Sequence, residues 1–435
     1  MTSVLNRRPQ LSGSKIGFVL LLPVLLVSCG AFKKIGGNDT PVPLPEEDVV
    51  VIDDDKTEDP VPPVKEEVKE VKTKYTSKFF KGDLYNRVPV HNNDFNIVVM
   101  LPFHSSGTAS KRDEMRSNFM LEYYQGMKLA LDKLEDLESK FNITFLDTKN
   151  DTSVVKMLLR NRVVEEADLI IGPTDEEQIK MAAYFAQARE IPMFSPITNT
   201  TRIWSENNYL YNLSPSPNAQ AKEFIRYFKK NHKDKQLMIL RDGKKFDKQF
   251  VGALLEELKE ENINYTAQSF EHYTKWDNFV GEGEFVVLNT ASGKTNMTFT
   301  VNSLLRFKNR VTLMGPDSWL DFSSVDYKYW EQLNISFIST NKAEVPNKQS
   351  LEMYSKFKAR YKGEPSWYTY MGYDQLLFSC EVLNAFGKYF PLFLENKKVE
   401  YGNCSFNLVK DNFYYDNNQL EIFKFTDYQL INDFE

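Results

Sequence analysis

The chain has 435 residues, of which 26% are charged and 42% hydrophobic, and its formal net charge is −6. An acidic chain lacks the basic surface that nucleic-acid binding requires, so we exclude a nucleic-acid partner. The four histidines are not spaced like the ligands of a metal ion, and we predict neither a metal site nor a cofactor. The length is sufficient for two lobes, each with its own hydrophobic core.

The first predicted element is an apolar run, 16–27, that follows Arg7, Arg8 and Lys15. A basic region, a short apolar region and small residues at its end are typical of a secretory signal peptide, here residues 1–28. The run is shorter than the roughly 20 residues that span a bilayer comfortably.

The end of this run, Leu26-Val27-Ser28-Cys29, resembles the lipobox of bacterial lipoproteins. The resemblance implies that the chain is cut before Cys29 and that this residue carries a diacylglyceryl group and fatty acyl chains such as palmitate. The alternative is an ordinary signal peptide with a cysteine at its end by chance. More than one acyl chain would make a stable membrane anchor.

The residues after Cys29 indicate which membrane holds the anchor. In Gram-negative lipoproteins, by resemblance, an Asp at the next position often retains the protein at the inner membrane, and Gly30 stands there in this chain. No acidic residue directly follows Lys33-Lys34, so the surface-export pattern of some lipoproteins is absent. The predicted location is therefore the periplasmic face of the outer membrane.

Residues 29–90 are predicted to be a disordered tether. Prolines alternate with the acidic runs 46–48 and 53–55, and like charges together with proline keep such a segment extended. The tether could be a passive spacer, or it could give a globular head the reach to work far from the membrane.

Strand and helix patterns alternate from Asp94 onward. The continuous apolar run 96–103 is typical of a strand buried on both faces. The pattern continues with helix 122–134, strand 143–147, helix 154–166, strand 167–173, helix 178–189 and strand 191–195. This alternation predicts a parallel sheet covered by helices.

A second unit of similar layout follows. It comprises helix 217–232, strand 236–240, helix 246–261, strands 265–270 and 284–289, helix 296–308 and strand 311–314, then strand 335–338, helices near 349–361 and 368–389, and short antiparallel strands within 403–430. The predicted fold class is therefore α/β, with two Rossmann-like lobes, parallel sheets and a hinge cleft. Open parallel sheets bind ligands beyond the carboxyl ends of their strands, and pockets favour lobe interfaces.

Four stretches together resemble the type I periplasmic-binding-protein superfamily, which includes branched-chain amino-acid-binding proteins and lipoprotein activators of peptidoglycan synthases. They are 99–103 with Tyr124-Gln125-Gly126-Met127; Asp147-Thr148-Lys149-Asn150-Asp151; 168–173 with 191–196; and Gly372-Tyr373-Asp374-Gln375. The resemblance implies three crossings between lobes, which we expect near Pro215, Thr340 and Pro391. Lobe 1 would then comprise 94–215 and 340–390, and lobe 2 would comprise 216–339 and 391–435.

The resemblance also implies a ligand site above the loops that follow the first, third and fourth strands. Gly315-Pro316-Asp317-Ser318-Trp319 and Lys244-Lys245 are candidates for a lid from lobe 2. The predicted ligand-binding residues are Ser105, Ser106, Gly172, Thr174, Asp175, Ser195, Thr198, Asn199, Asp317 and Asp374.

Two departures from the superfamily bear on the ligand. Asp175-Glu176-Glu177 stands where amino-acid binders carry a hydroxyl residue, and Asn199 stands where Thr is usual. The three carboxylates could repel an anionic ligand, or they could cap the helix that follows.

The main functional hypothesis is a non-catalytic envelope lipoprotein that binds a protein partner, such as a regulator of peptidoglycan synthesis that reaches a peptidoglycan synthase. The alternative is a solute-binding receptor for a small molecule, amino-acid-like or other, linked to transport or sensing. The anchor and tether favour the partner-binding hypothesis, although a tether could serve any anchored receptor.

An enzyme is not expected, because the chain has no Gly-x-Ser-x-Gly elbow, no phosphate loop and no histidine usefully spaced from a cysteine or carboxylate. Sugar stacking is a less favoured role than core packing for four tryptophans, Trp204, Trp319, Trp330 and Trp367. Cys380 and Cys404 are expected to be free thiols rather than a disulfide.

Overall fold

A computed structural model of the protein describes residues 94–104, 110–197, 206–242, 245–270, 276, 282–323, 325–340, 347–390, 394, 397–410 and 414–433. The predicted signal peptide, Cys29 and the predicted tether lie outside these residues. Within the described part, two sheets each carry helices on both faces.

The sheet of lobe 1 has the strand order β11-β12-β13-β5-β4-β3-β1-β2. Its strands, numbered in chain order, are β1 (Asp94–Leu101), β2 (Lys140–Asp147), β3 (Leu169–Ile171), β4 (Met193–Ser195), β5 (Leu210–Asn212), β11 (Lys398–Glu400), β12 (Ser405–Lys410) and β13 (Tyr415–Asn417). Strands β1 to β5 and β13 pair in parallel, whereas β11 and β12 are antiparallel additions at one edge.

Strand β1 is buried on both faces, as its apolar run predicts. Ile97 and Val99 enter the core beneath one helical layer, and Val98 and Met100 enter the core on the other side. The first layer contains α1 (Lys111–Leu134), α9 (Lys348–Tyr361) and α10 (Trp367–Phe386), and the second contains α2 (Thr152–Leu158), α3 (Arg162–Glu165) and α4 (Glu176–Ala188).

The sheet of lobe 2 has the strand order β15-β14-β10-β9-β8-β6-β7. Its strands are β6 (Gln236–Arg241), β7 (Tyr265–Ser269), β8 (Phe285–Asn289), β9 (Val311–Pro316), β10 (Ser336–Ser339), β14 (Glu421–Thr426) and β15 (Gln429–Asn432). The helices of this lobe are α5 (Pro217–Asn231), α6 (Lys245–Glu260), α7 (Lys294–Leu304) and α8 (Tyr327–Gln332). The two-lobe α/β fold class is thus confirmed.

Several element boundaries differ from the sequence prediction. The helix expected over 154–166 is divided into α2 and α3, because the Asn161 side chain accepts a hydrogen bond from the backbone N–H of Val163 and starts a second helix. Strands β5 and β11 and helix α8 were not predicted. Each is short, so the sequence offers too few residues to show a periodic pattern.

The third crossing between the lobes is the main correction. The expected position near Pro391 is wrong, because 398–417 forms β11, β12 and β13 in the sheet of lobe 1, and the chain enters lobe 2 only between β13 and β14. The Tyr415 ring stacks on Tyr211 of β5 with 4.7 Å between ring centroids, so β13 covers an otherwise unpaired strand edge. The first two crossings lie at 213–216 and after Ser339.

The cysteines and two of the tryptophans have the structural roles expected of them. Cys380 and Cys404 are free and buried, which confirms the prediction, and burial raises the pKa of both thiols. Trp319 and Trp330 lie in the core of lobe 2, and Trp367 packs, partly buried, against the core of lobe 1. Trp204 lies outside the described residues. None of the helices described here is long and apolar enough to cross a membrane.

His232, at the end of α5, makes the stability of lobe 2 depend on pH. Burial, together with the nearby Lys235, lowers the pKa of the His232 imidazole from 6.5 to about 4. The unfolded chain therefore binds more protons between these values, so stability is full above about pH 6.5 and is lost as the pH falls towards about 4. After discounting for the exposed part of the ring, we expect a loss of about 1–2 kcal/mol.

Urea unfolding at several pH values tests this prediction. His232→Gln removes the titrating group, so the fall in unfolding free energy between pH 6.5 and 4.5 should be smaller in this variant than in the parent protein. Equal slopes in the two proteins would contradict the prediction.

Candidate functional site

The carboxyl ends of β1, β3 and β4 lie side by side in the sheet of lobe 1, so the loops that follow these strands meet at one edge. Of the residues predicted to bind a ligand, Gly172, Thr174, Asp175 and Ser195 lie at this edge. Ser105, Ser106, Thr198 and Asn199 belong to the same loops but lie outside the described residues. The edge is the candidate ligand site.

Gly172 shapes the loop after β3 through its backbone. Its φ angle is +89°, in a region that favours glycine, and a Cβ atom added here would lie 2.2 Å from the carbonyl oxygen of Met100. Any side chain would push the β3 loop away from β1. Gly172 therefore allows the loop after β3 to lie directly against the end of β1.

The acidic residues after β3 are engaged within α4. The Asp175 side chain caps the helix by accepting a hydrogen bond from the backbone N–H of Glu177 at 3.2 Å. Glu176 and Glu177 form ion pairs with Lys180 at 3.3 and 2.9 Å. The capping interpretation of this acidic run is confirmed, and part of its negative charge is balanced on the helix itself.

The loop after β4 is held from beneath by residues of other elements. Ser195 is fully buried, and the next carbonyl, that of Pro196, accepts hydrogen bonds from the Ser214 hydroxyl at 2.8 Å and the Gln375 amide at 3.0 Å. Gln375 in turn accepts a hydrogen bond from the Tyr123 hydroxyl at 2.6 Å. Helices α1 and α10 thereby position the loop that leads to Thr198 and Asn199.

Asp374 has a different role from the one expected. Its side chain is fully buried, and Oδ2 accepts hydrogen bonds from the backbone N–H groups of Asn403 and Cys404 at 2.6 and 2.9 Å. These bonds tie α10 to the segment before β12. These two hydrogen bonds explain the carboxylate at this position, and no contact with a ligand is needed to explain it. The neighbouring residue, Gln375, is the one that reaches the candidate site.

Asp317 lies in lobe 2, in the turn that follows β9. Its Oδ2 atom accepts a hydrogen bond from the Ser339 hydroxyl at 2.7 Å, so it joins the carboxyl ends of β9 and β10. In the same stretch Trp319 packs against Gly315 and donates its indole N–H to the carbonyl of Ala291 at 2.9 Å. Lys244, the other lid candidate, lies outside the described residues.

Asp147 is a site residue that the sequence analysis did not assign. Its Oδ1 atom accepts hydrogen bonds from the backbone N–H groups of Phe103, His104 and Lys149 at 2.9, 3.1 and 2.9 Å. One carboxylate thus holds the loop after β1 and the turn after β2. The stretch 147–151 contributed to the family resemblance, but nothing local indicates that Asp147 reaches Phe103.

Asp147→Ala should lower the unfolding free energy by about 2–4 kcal/mol, because three backbone N–H groups lose a charged acceptor. Asp151→Ala is the matched control four residues away. Asp151 caps α2, so its substitution should lower the unfolding free energy by only about 1 kcal/mol. Urea unfolding of both variants measures the difference, and equal losses would contradict the role given to Asp147.

The chemistry of the site is that of binding. In the part of the chain described here, no group of three or more His, Cys, Asp or Glu residues could hold a metal ion. The partly buried carboxylates of Asp147 and Asp175 and the buried Gln375 amide contact backbone groups at this edge, and they set the shape of three adjacent loops. Such an arrangement can present backbone N–H groups and hydroxyls to a small molecule.

Comparison with solved structures shows the same fold at low sequence identity. A putative branched-chain amino acid ABC transporter from Rhodospirillum rubrum is 9% identical with a TM-score of 0.57, and covers 77% of this chain and 99% of its own. An ABC-type branched-chain amino acid transporter from Rhodopseudomonas palustris is 11% identical with a TM-score of 0.53, and the match covers 78% of this chain and 95% of the transporter chain.

An ABC transporter substrate-binding protein from Desulfitobacterium hafniense, in complex with Leu, is 15% identical with a TM-score of 0.50, and the match covers 78% of this chain and 99% of that protein. Comparison with curated proteins gives no match. A family model described as periplasmic binding protein matches residues 116–390, more than half of the chain. Its members are binding proteins rather than enzymes. This match, the two-lobe fold and the three converging loops show that the chain belongs to the periplasmic binding protein family.

Proposed function

We propose that the protein is an envelope receptor that binds a small solute at the candidate ligand site and closes lobe 2 over it. The observation that carries this proposal is the family match over 116–390, which covers strands β2 to β10 of the two sheets and the loops after β3 and β4 at the site. The solute-binding alternative of the sequence analysis is therefore preferred to the partner-binding hypothesis.

An amino acid is the first ligand class to test. Asp175, Glu176 and Glu177 are occupied by capping and by Lys180, so they do not set a free cluster of three negative charges against a ligand carboxylate. The start of α4 carries a partial positive charge that favours an anionic group. The D. hafniense structure is a complex with Leu, which supports beginning with apolar amino acids.

Thermal unfolding and calorimetry with a panel of amino acids and other small metabolites would test the proposal. A ligand at about 100 times its Kd should stabilise the folded protein by about 2.7 kcal/mol and raise its melting temperature. Failure of the whole panel to shift the melting temperature, with no heat of binding, would contradict a receptor for these solutes.

Asp175→Ser combined with Glu176→Ser should leave the affinity for an amino acid within about threefold of the parent value, because serine can also cap a helix and the ligand does not contact the lost carboxylates. Thr174→Val is the contrasting variant, since it removes a hydroxyl predicted to face the ligand. Calorimetry compares the two. A large loss of affinity in the acidic double variant would instead make these carboxylates ligands for a cationic group.

We also propose that Cys29 carries a lipid anchor at the periplasmic face of the outer membrane and that 29–90 is the tether of the head. The proposal rests on the basic, apolar and Ser-Cys-Gly features in their required order and on Gly30 after the cysteine.

A second candidate function is a partner-binding module, such as a regulator of peptidoglycan synthesis. It is favoured by apolar side chains exposed on α1, where Met115 is 58% and Phe119 37% accessible and Phe119 stacks on Tyr368. Retention of a purified peptidoglycan synthase by the parent protein, and its loss in Phe119→Glu, would support this role. Equal retention of the synthase by the parent protein and by Phe119→Glu would show that the exposed apolar side chains of α1 do not bind this partner.

A further inference from the structure

Two of the three crossings between the lobes leave lobe 1 side by side. Strand β13 pairs in parallel with β5, with Tyr415 opposite Tyr211 and Asp416 opposite Asn212. Strand β5 leads into α5 of lobe 2, and β13 leads into β14 of the same lobe. The first and third crossings therefore start as neighbouring strands of one sheet.

Side chains at the last paired residue of β13 and just beyond it join these crossings. Asp416 accepts a hydrogen bond from the backbone N–H of Ser216 at 3.2 Å and a second from the Ser216 hydroxyl. The Asn417 amide donates to the carbonyls of Leu213 at 2.9 Å and Ser405 at 2.8 Å. The connection between the crossings thus continues from the sheet into the hinge.

The connection is buried and reaches directly into lobe 2. Ser216 is 0% exposed and Asp416 2% exposed. Ser216 is also the N-cap of α5, because its hydroxyl accepts a hydrogen bond from the backbone N–H of Ala219 at 3.2 Å. A charged acceptor strengthens hydrogen bonds, and exclusion of water strengthens them further.

We propose that Ser216 and Asp416 form a hinge clamp that makes the first and third crossings bend together and limits how far the lobes open. A pair of bonded strands can bend across its plane, whereas two independent strands could also slide and twist past each other. Asp416 lies on an added strand of lobe 1 and Ser216 starts a helix of lobe 2, so this one contact resists separation of the lobes. The clamp goes beyond the proposed function and requires no ligand.

Distances between spin labels on the two lobes would test the clamp in the full-length chain without ligand. Labels at Thr152→Cys in lobe 1 and Ser292→Cys in lobe 2 occupy exposed positions, and Cys29→Ser leaves only the buried Cys380 and Cys404 as other thiols. In Asp416→Ala, loss of the charge-assisted bonds should raise the population of longer distances by about tenfold. Ser216→Ala should act in the same direction and provides a second test if the first variant folds poorly.

The matched control is Ser110→Ala. Ser110 caps α1 and donates its hydroxyl to the carboxylate of Asp113 at 2.5 Å, so it repeats the serine cap and carboxylate contact on a helix that takes part in none of the crossings. This variant should leave the distance distribution unchanged. The clamp would be overturned if folded Asp416→Ala or Ser216→Ala gave the parent distribution, or if Ser110→Ala broadened it equally.

Discussion

Gly372→Ala should lower the unfolding free energy by about 2–4 kcal/mol, because overpacking a close contact forces the backbone apart. A Cβ atom at this position would lie 2.0 Å from the carbonyl oxygen of Tyr123, and one at Gly126 would lie 1.9 Å from that of Thr369. The two glycines thus allow α1 and α10 to cross with their backbones in contact. Gly126→Ala should have an effect of similar size.

Gly252→Ala provides the control for this prediction. Gly252 lies within α6, and an added Cβ atom would meet nothing within 4 Å. Alanine is the better helix former, so this variant should gain about 0.5–1 kcal/mol. Urea unfolding of the three variants gives the comparison. Similar stabilities for Gly372→Ala and Gly252→Ala would contradict the close crossing of α1 and α10.

The helix contact also bears on the candidate ligand site. The hydrogen bond from Tyr123 to Gln375 spans the same pair of helices, and Gln375 holds the carbonyl of Pro196 in the loop after β4. If an added methyl group at Gly372 separates the helices, this loop should lose its support. We therefore expect Gly372→Ala to weaken ligand binding as well as stability.

Cys29→Ser should transfer the protein from the membrane fraction to the soluble fraction. The proposed anchor requires a thiol to carry the diacylglyceryl group, and each buried CH₂ of an acyl chain contributes about 0.8 kcal/mol to membrane binding. Fractionation of the envelope and mass spectrometry of the N-terminal peptide provide the measurement. An acylated peptide should be found for the parent protein and not for the variant.

Ser28→Ala is the control for the anchor, because it keeps a small residue before the cysteine and should leave the protein in the membrane fraction. Unchanged fractionation of Cys29→Ser would contradict the lipoprotein proposal. The solute-binding proposal would remain open, since it depends on the head alone.

Local patterns in the sequence were sufficient to predict the main strands and helices. The apolar run of β1 predicts a strand buried on both faces, and the alternation of strands with helices predicts two covered parallel sheets. Even the acidic run at Asp175 could be recognised as a helix cap, since capping depends on residues two or three positions apart. These features share a physical cause, because each depends on neighbours along the chain.

Only the tertiary structure showed the strand pairings and side-chain contacts that join residues far apart in the sequence. Strand β13 is only three residues long, and its place beside β5 depends on a partner about 200 positions away, so the third crossing could not be located from the sequence. The same holds for Asp147, which binds backbone N–H groups 43 and 44 residues earlier, and for Asp374, whose partners lie in the segment before β12. The sequence alone predicted two lobes and a lipid anchor, and it offered the helix cap as one of two interpretations of the acidic run. The roles of the buried polar side chains became visible only in the folded structure. Buried backbone N–H and C=O groups need hydrogen-bond partners, and the fold decides which side chains lie close enough to supply them.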